Sequence, residues 1–284
     1  MARQHNSFGP RVPRPSFIPR GERSPSIRGE PHAQDGPIGF GIDIGGSGIK
    51  GARVNLEDGE FVGDRIKIKT PRPATPEAVA ETAAEIVRLA EWDGPVGLTM
   101  PSVIKGQIAR TAANIDESWI GTDVHELFAR HLGEREISVL NDADAAGIAE
   151  VAFGDPRSRR GSALFLTFGT GIGSALLVDG HLFPNTELGH IIIDSVEAER
   201  RASSAAKDRD ELSYKKWAKR VTKVLREYER LLNPGAFIVG GGISREHEKW
   251  VPLLDVEAPV FPAQLRNRAG IVGAAMAVAA HVAP

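Results

Sequence analysis

The alternation of apolar and polar positions first becomes regular at residue 38. An apolar run at residues 38–44 leads into the glycine-rich loop 45–48, and alternation then continues on both sides of Asp58-Gly59. Alternation around an Asp-Gly pair indicates a β-hairpin. The pattern therefore predicts a strand, a glycine loop, a second strand, a tight turn and a third strand.

The same plan returns in the second half of the chain. An apolar strand at 163–168 precedes the glycine loop 169–173, a second strand follows at 174–178, and Asp179-Gly180 supplies a hairpin turn. Two segments with one plan predict an internally duplicated architecture.

Helices and buried strands are predicted between and after these segments. Thr75-Pro76 resembles a helix start, and Asn233-Pro234-Gly235 resembles the stop of the clearest amphipathic helix, at 214–232. Further helices are predicted at 75–90, 123–132, 143–151 and 269–282, buried strands at 95–100, 137–140 and 236–239, and a hairpin at 104–114.

Three glycine clusters each follow a predicted strand, at 45–48, 169–173 and 240–242. The first also matches the dinucleotide fingerprint, but that fingerprint requires a helix directly after the loop, and a hairpin is predicted instead. A plain glycine turn remains the alternative for any single cluster. Three clusters in one context indicate a phosphate-rich ligand in a cleft.

Two groups of polar residues carry candidate chemistry. Asn141-Asp142 stands where a buried strand ends and a helix begins, so Asp142 is either a helix N-cap or a general base for an attacking hydroxyl. Asn185, Glu187 and His190 form a second polar cluster, whose mix of acceptors suits a polyol.

Composition narrows the class of protein. The 284 residues suffice for one large or two modest domains, and the net charge of −2 gives no sign of nucleic acid or an anionic membrane as partner. The absence of cysteine excludes disulfides and Cys-ligated zinc and is typical of a reducing cytoplasm. Residues 1–37, rich in Pro and Arg, are predicted to be a disordered tail, without a secretory signal.

The chain resembles the ROK family of sugar kinases over roughly residues 38–282, and seven motifs carry the resemblance. The resemblance is closest to the family's actinobacterial polyphosphate glucokinases and polyphosphate/ATP glucomannokinases. The motifs are GFGIDIGGSGIKG, RTAANIDESWIG, LNDADAAG, LTFGTGIGSA, PNTELGH, SYKKWAKRV and GGGIS.

The resemblance implies an α/β fold of two domains, the actin-like ATPase (ribonuclease H-like) fold, with a cleft between the domains. Residues 38–140, completed by the helix 268–282, are expected to form one domain, and residues 141–267 the other. A homodimer in the cytoplasm is expected from the family.

The resemblance also implies residue roles. Asp142 matches the catalytic base, and Asp43 is expected to hold Mg²⁺ through water. No zinc site is expected, because the cysteines of many relatives are missing. Asn141, Glu187, His190, Glu199 and Asn114 match sugar ligands, and Asp43, Gly45, Gly46, Ser47, Lys50, Thr170, Gly171, Gly173, Gly240 and Gly241 match phosphate or nucleotide ligands.

The implied reaction moves the terminal phosphate of polyphosphate, ATP or both to the 6-hydroxyl of glucose. Alternatives are an ATP-dependent hexokinase or a glucomannokinase that also accepts mannose. A sugar-sensing regulator and an NAD-dependent oxidoreductase are rivals from other classes. The missing N-terminal DNA-binding domain argues against the regulator, and the predicted hairpin argues against the oxidoreductase.

The helix 214–232 carries a basic face. Such a face is commonly only a solvated surface, but polyphosphate, a linear polyanion, requires a row of cations. The hypothesis is that the row consists of Lys215, Lys216, Lys219, Arg220 and Lys223.

Overall fold

The computed structural model describes residues 36–113 and 115–282. Apart from residues 36 and 37, the predicted N-terminal tail therefore lies outside the described residues, and so does Asn114. The described residues belong to one contact-dense unit. The division into domains 38–140 and 141–267 stays a prediction.

Most strands form where apolar runs or alternation predicted them, because each buries one or both faces. The strands are β1 (Ile38–Gly45), β2 (Gly48–Asn55), β3 (Phe61–Ile68), β4 (Val96–Met100), β5 (Ile104–Lys105), β6 (Ile108–Ala109), β7 (Ile137–Asn141), β8 (Ser162–Phe168), β9 (Ile172–Val178), β10 (His181–Phe183), β11 (Ile192–Ile193), β12 (Val196–Glu197), β13 (Ala236–Gly240) and β14 (Val260–Pro262).

The first helix begins at its predicted cap, and the longest helix ends at its predicted stop. The Thr75 hydroxyl accepts a hydrogen bond from the backbone N–H of Ala78, and Asn233 ends the longest helix in the left-handed conformation. The helices are α1 (Pro76–Leu89), α2 (Val124–Leu132), α3 (Asp142–Phe153), α4 (Ala198–Ala202), α5 (Ser204–Arg209), α6 (Tyr214–Leu232) and α7 (Ala269–Ala279). Short 3₁₀ helices include Leu188–His190, Gly242–Lys249 and Arg266–Arg268.

Two five-stranded sheets share one topology. Their strand orders are β3-β2-β1-β4-β7 and β10-β9-β8-β13-β14. In each sheet the first three strands are antiparallel, and the last two run parallel to the central one. The predicted duplication is thus confirmed. The first glycine loop joins the antiparallel strands β1 and β2, which excludes the dinucleotide fingerprint.

Helices α3 and α7 pack against each other, with α3 on the second sheet and α7 on the first. Glycines permit this close approach: a Cβ added at Gly41 or Gly97 would lie 1.9 or 1.8 Å from a backbone oxygen of α7. A Cβ at Gly273 would lie 1.8 Å from the carbonyl oxygen of Ala145. The small residues of both helices therefore set the distance between them.

Several features differ from the sequence prediction, among them the strands β11, β12 and β14, which were not predicted. The helix predicted at 269–282 ends at Ala279, and only residues 104–109 of the predicted hairpin pair as strands. The helices α4 and α5 were not predicted, because they are too short to show an amphipathic period. Among the helices that the structure describes, none combines the length and apolar character that a bilayer crossing needs.

Candidate active site

Polar residues gather where the parallel strands end. In the first sheet, Asp43 of β1 lies beside Thr99 of β4, and the Thr99 hydroxyl lies 3.3 Å from the Asp43 carboxylate. Asn141 ends the next strand, β7. In the second sheet, Thr167 of β8 is paired with Gly240 of β13. Carboxyl ends of parallel strands share one edge of a sheet, where ligands of α/β folds bind.

Asp142 is the first residue of α3, but it is not the N-cap. That position belongs to Asn141, whose amide oxygen accepts hydrogen bonds from the backbone N–H groups of Ala143 (2.8 Å) and Asp144 (3.2 Å). The N-cap alternative for Asp142 is therefore wrong. Its carboxylate accepts one bond from the Ala143 N–H, at 2.8 Å, and otherwise faces two cavities.

The first of these, here called the acidic cavity, has a volume of about 640 Å³. It is lined by five predicted site residues of the sugar and base sets, and by the second glycine loop. These residues are Asn141, Asp142, Glu187, His190 and Glu199, with Thr170, Gly171 and Gly173 from the loop.

The second, here called the glycine cavity, has a volume of about 220 Å³. Asp43 and Lys50, which flank the first glycine loop, line this cavity together with Gly240 and Gly241 of the third loop. Asp142 and Thr167 line both cavities, so the two cavities meet at the Asp142 carboxylate. The predicted loop residues Gly45, Gly46 and Ser47 line neither cavity.

The electrostatics of Asp142 suit a base. Its side chain is open to the cavities yet closely surrounded by protein atoms. This desolvation, followed by the nearby carboxylates of Asp43 and Glu187, raises the pKa of Asp142 to about 6. A carboxylate with such a pKa accepts a proton more readily than an ordinary aspartate and is still ionised at neutral pH.

His190 lies at the centre of an acidic group in the acidic cavity. Its ring nitrogens lie 3.7 Å from a carboxylate oxygen of Glu187, 3.4 Å from one of Glu197 and 3.8 Å from one of Glu199. Burial raises the pKa of Glu187. Glu199 also accepts a hydrogen bond from the N–H of Ile172, at 3.3 Å, which fixes it beside the second glycine loop.

His190, Glu197 and Glu199 bring their ligand atoms within 4.8 Å of one another. The group contains no thiolate, whereas structural zinc is commonly held by cysteine. The absence of zinc stays a prediction from the sequence.

Asp43 is held in place by Lys50, the residue opposite it on β2, through an ion pair of 3.0 Å. A carboxylate beside a hydroxyl fits Mg²⁺, which keeps most of its waters and takes one or two protein oxygens together with substrate phosphates. The residues present therefore fit the predicted role of Asp43 at Mg²⁺.

Two of the phosphate-loop glycines approach neighbouring atoms closely. A Cβ at Gly171 would lie 2.3 Å from the Glu199 carboxylate, the end of a side chain that would have to move. Gly241 has a φ of +85°, and a Cβ there would lie 2.2 Å from the carbonyl oxygen of Phe168. A side chain therefore does not fit at Gly241, where the neighbour is backbone.

A chain of hydrogen bonds joins α3 to both sides of the acidic cavity. The buried Asp144 carboxylate accepts from the N–H of Asn185, at 2.7 Å. The Asn185 side chain in turn accepts from the N–H of Ile104 (2.9 Å) and donates to its carbonyl oxygen (2.6 Å). Because Asn185 precedes Glu187 by two residues, Asp144 fixes the segment that carries Glu187.

The basic residues of α6 fall into two groups, those that form ion pairs with carboxylates and those that do not. Arg220 pairs with Asp210 at 2.5 Å, and Lys223 pairs with Asp194. Within the described part of the chain, no carboxylate pairs with Lys215, Lys216 or Lys219. None of the five lines either cavity, and their role as a polyphosphate track stays a prediction.

Sequence reasoning missed several residues of the site. Thr167, Arg245, Arg266 and Asn267 line the glycine cavity, and Glu197 contacts His190. Glu197 carries a weak sequence signal, because it stands two positions before Glu199. Arg266 and Asn267 carry none, since the loop that brings them to the cavity follows a short edge strand.

The fold and site are those of a sugar kinase with the actin-like ATPase fold. Residues 39–204 match the sequence profile of the ROK family, and the chain belongs to that family. It is 54% identical over 239 residues to a polyphosphate glucokinase of Mycobacterium tuberculosis, covering 84% of this chain and 90% of the relative.

Solved structures agree. An inorganic polyphosphate/ATP-glucomannokinase from Arthrobacter sp. strain KM superposes with a TM-score of 0.79 at 45% identity, over 86% of this chain and 99% of the other. A ROK family glucokinase from Streptomyces griseus, solved with glucose and AMPPNP, superposes with a TM-score of 0.71 at 24% identity, over 84% and 98% of the two chains. The second likeness shows the fold alone.

Proposed function

We propose that this protein transfers the terminal phosphoryl group of inorganic polyphosphate, ATP or both to the 6-hydroxyl of glucose, giving glucose 6-phosphate. The observation that carries the proposal is the position of Asp142, which lines both the acidic cavity and the glycine cavity. The names of the relatives support the choice of glucose and of the two donors.

In the proposed reaction, glucose occupies the acidic cavity and the donor phosphate occupies the glycine cavity. Glu187, His190 and Glu199, with Asn141, hold the sugar hydroxyls, and Asn114 is a further candidate outside the described residues. As the sugar oxygen bonds to phosphorus, its proton passes to Asp142, and the shortened polyphosphate or ADP departs. Lys50 and the backbone of Gly240 and Gly241, which line the glycine cavity, bind the phosphate oxygens. Phosphate binding by the first and second glycine loops stays a prediction.

Mg²⁺ is proposed as the cofactor, held by Asp43 through water. When bound, it neutralises the charge that develops on the phosphate oxygens. Mannose as a second sugar is also proposed, since the Arthrobacter relative is a glucomannokinase. The cytoplasmic location and the homodimer rest on the family resemblance, and light scattering after gel filtration tests the latter.

The experiment that tests the function is a coupled glucose 6-phosphate assay with each donor in turn. The purified protein is supplied with Mg²⁺ and glucose, and either long-chain polyphosphate or ATP is added. Glucose 6-phosphate is expected with at least one donor. Failure with both would reject the proposal, and substitution of mannose for glucose tests the second sugar.

The pH dependence of the reaction should reflect Asp142. Because the pKa of Asp142 is raised to about 6 and the base acts when ionised, kcat/KM for glucose is expected to fall about tenfold per pH unit below pH 6. Glu187→Gln removes a neighbouring negative charge that raises the pKa of Asp142. The acidic limb of the pH profile of kcat/KM should therefore move to lower pH in this variant, whatever the change in the maximal rate.

The control for this profile is Glu134→Gln, at an exposed carboxylate that lines neither cavity. It should leave the limb where it is. A limb that stays in place, or moves to higher pH, in Glu187→Gln would contradict the coupling between the two carboxylates.

Asp144 is expected to act as a positioning residue for glucose binding. Asp144→Leu leaves the Asn185 N–H without an acceptor inside the protein, and KM for glucose should rise about tenfold, with a smaller change in kcat. Asp144→Asn retains an acceptor oxygen and should keep KM within about threefold of the wild type. Equal losses in both variants, or a loss of kcat alone, would argue against this role.

A further inference from the structure

A third cavity opens beside the glycine cavity. This third cavity, here called the arginine cavity, has a volume of about 640 Å³ and is lined by Arg245 and by residues 264–268. Arg245, Arg266 and Asn267 line both this arginine cavity and the glycine cavity. A ligand bound in the glycine cavity can therefore continue past these residues toward the solvent.

The loop that forms one wall of the arginine cavity is fixed by a buried acid. Glu150 of α3 is 1% exposed, and its carboxylate accepts hydrogen bonds from the N–H groups of Gln264 and Leu265, both at 2.8 Å. The next residue, Arg266, has a φ of +54°, a conformation that is uncommon for a residue with a Cβ. Such a conformation persists where the surroundings impose it. The position of Arg266 is thus built into the fold.

The charges of this wall are available to a ligand. Arg268 is paired with Glu60. Both Arg245 and Arg266 are exposed, and no carboxylate among the described residues forms an ion pair with either. Together with Lys50 in the glycine cavity, they place three cations along one path that starts at Asp142.

The path suits one class of donor better than the other. Polyphosphate carries negative phosphates along its whole length, so a cation outside the glycine cavity can still pair with a phosphate of the chain. Guanidinium groups bind phosphate oxygens in a bidentate manner. A nucleotide has at most three phosphates and then a nucleoside, which offers no negative charge to a distant guanidinium.

We propose that Arg245 and Arg266 form an exit subsite for the polyphosphate chain beyond the phosphates held in the glycine cavity, and that they favour polyphosphate over ATP. This inference rests on the proposed function. It moves the path of the chain from the basic face of α6, whose residues line neither cavity, to the arginine cavity.

The test compares donors in the double variant Arg245→Gln/Arg266→Gln. The loss of two partly solvated phosphate contacts is expected to lower kcat/KM for long-chain polyphosphate about 25-fold, roughly fivefold for each arginine. kcat/KM for tripolyphosphate and for ATP, whose phosphates reach no further than the glycine cavity, should fall much less, so that the ratio of the long-chain polyphosphate value to the ATP value falls about tenfold. The variant Arg159→Gln/Arg160→Gln, which removes the same charge from an exposed turn, should match the wild type for all donors.

A binding measurement separates this subsite from the reaction. Anisotropy of fluorescein-labelled polyphosphate, without glucose, should show weaker binding by the Arg245→Gln/Arg266→Gln variant and a shallower dependence of the affinity on salt. An equal loss for ATP and polyphosphate would overturn the proposal, because the arginines would then serve phosphates common to both donors. A larger loss in Lys215→Gln/Lys216→Gln/Lys219→Gln would also overturn it, in favour of the α6 track.

The failure of the proposed function is distinguishable. If the wild-type protein made no glucose 6-phosphate but bound labelled polyphosphate through Arg245 and Arg266, the function would be rejected and the subsite would stand.

Discussion

Asp142→Asn is expected to lower kcat about a thousandfold or more with either donor, while the affinity for glucose changes by less than about threefold. General-base catalysis contributes about 10²–10⁴ in rate, and an amide cannot accept the proton of the attacking hydroxyl at neutral pH. The amide keeps the size of the carboxylate and one acceptor oxygen, so the sugar still binds. The coupled assay gives kcat, and isothermal titration calorimetry gives the affinity for glucose.

Two comparisons make this result specific. Asp123→Asn alters an aspartate at the N-cap of α2, outside both cavities, and is expected to keep wild-type kcat. The melting temperature of Asp142→Asn should not fall, because the substitution removes a partly desolvated negative charge near Asp43 and Glu187. A kcat within tenfold of the wild type would reject Asp142 as the base.

Gly273→Ala is expected to destabilise the protein by about 3 kcal/mol or more. Alanine is favoured over glycine inside a helix by about 1 kcal/mol, so propensity alone predicts stabilisation. The new Cβ, however, would lie 1.8 Å from the carbonyl oxygen of Ala145, which forces α3 and α7 apart. Overpacking against backbone costs at least the upper part of the usual range of about 1–3 kcal/mol. Urea unfolding measures the change.

Gly270→Ala is the matched control on the same helix. Its Cβ would meet the Asp43 carboxylate at 3.4 Å, an ordinary contact, so stability should be unchanged or slightly higher. If Gly273→Ala were as stable as Gly270→Ala, the close approach of the two helices would not limit stability. Because α3 carries Asp142 at its start, Gly273→Ala should also lower kcat.

Much of the fold could be predicted because its signals are local. The hairpin turn at Asp179-Gly180 forms with both residues at positive φ, as the sequence pair requires. The helix 214–232 has the predicted bounds because its apolar period and its Ser213 cap agree. The helices α4 and α5 escaped prediction, since a helix of one or two turns owes its stability to tertiary packing rather than to its own sequence.

The candidate site was predicted only in part. Asp142, Glu187 and His190 could be named from motifs, and the structure brings them to one cavity. Which residue caps α3 could not be decided, because Asn141 and Asp142 both suit that position and the choice depends on where the strand β7 ends. The sequence predicts that Gly45, Gly46 and Ser47 of the first glycine loop bind phosphate. In the structure only the flanking residues Asp43 and Lys50 line the glycine cavity.

The sequence by itself determined the duplicated strand and loop plan, the carboxylate at the strand-to-helix junction and the family. These follow from local periodicity and short motifs, which neighbouring residues suffice to specify. Only the tertiary structure decided that two cavities meet at Asp142 and that Glu150 holds Arg266 at the rim. The hydrogen bond between the Leu265 N–H and the Glu150 carboxylate joins residues that are far apart in the sequence. Such contacts depend on the close packing of α3 on α7, and the sequence does not show which residues the glycines of that interface contact.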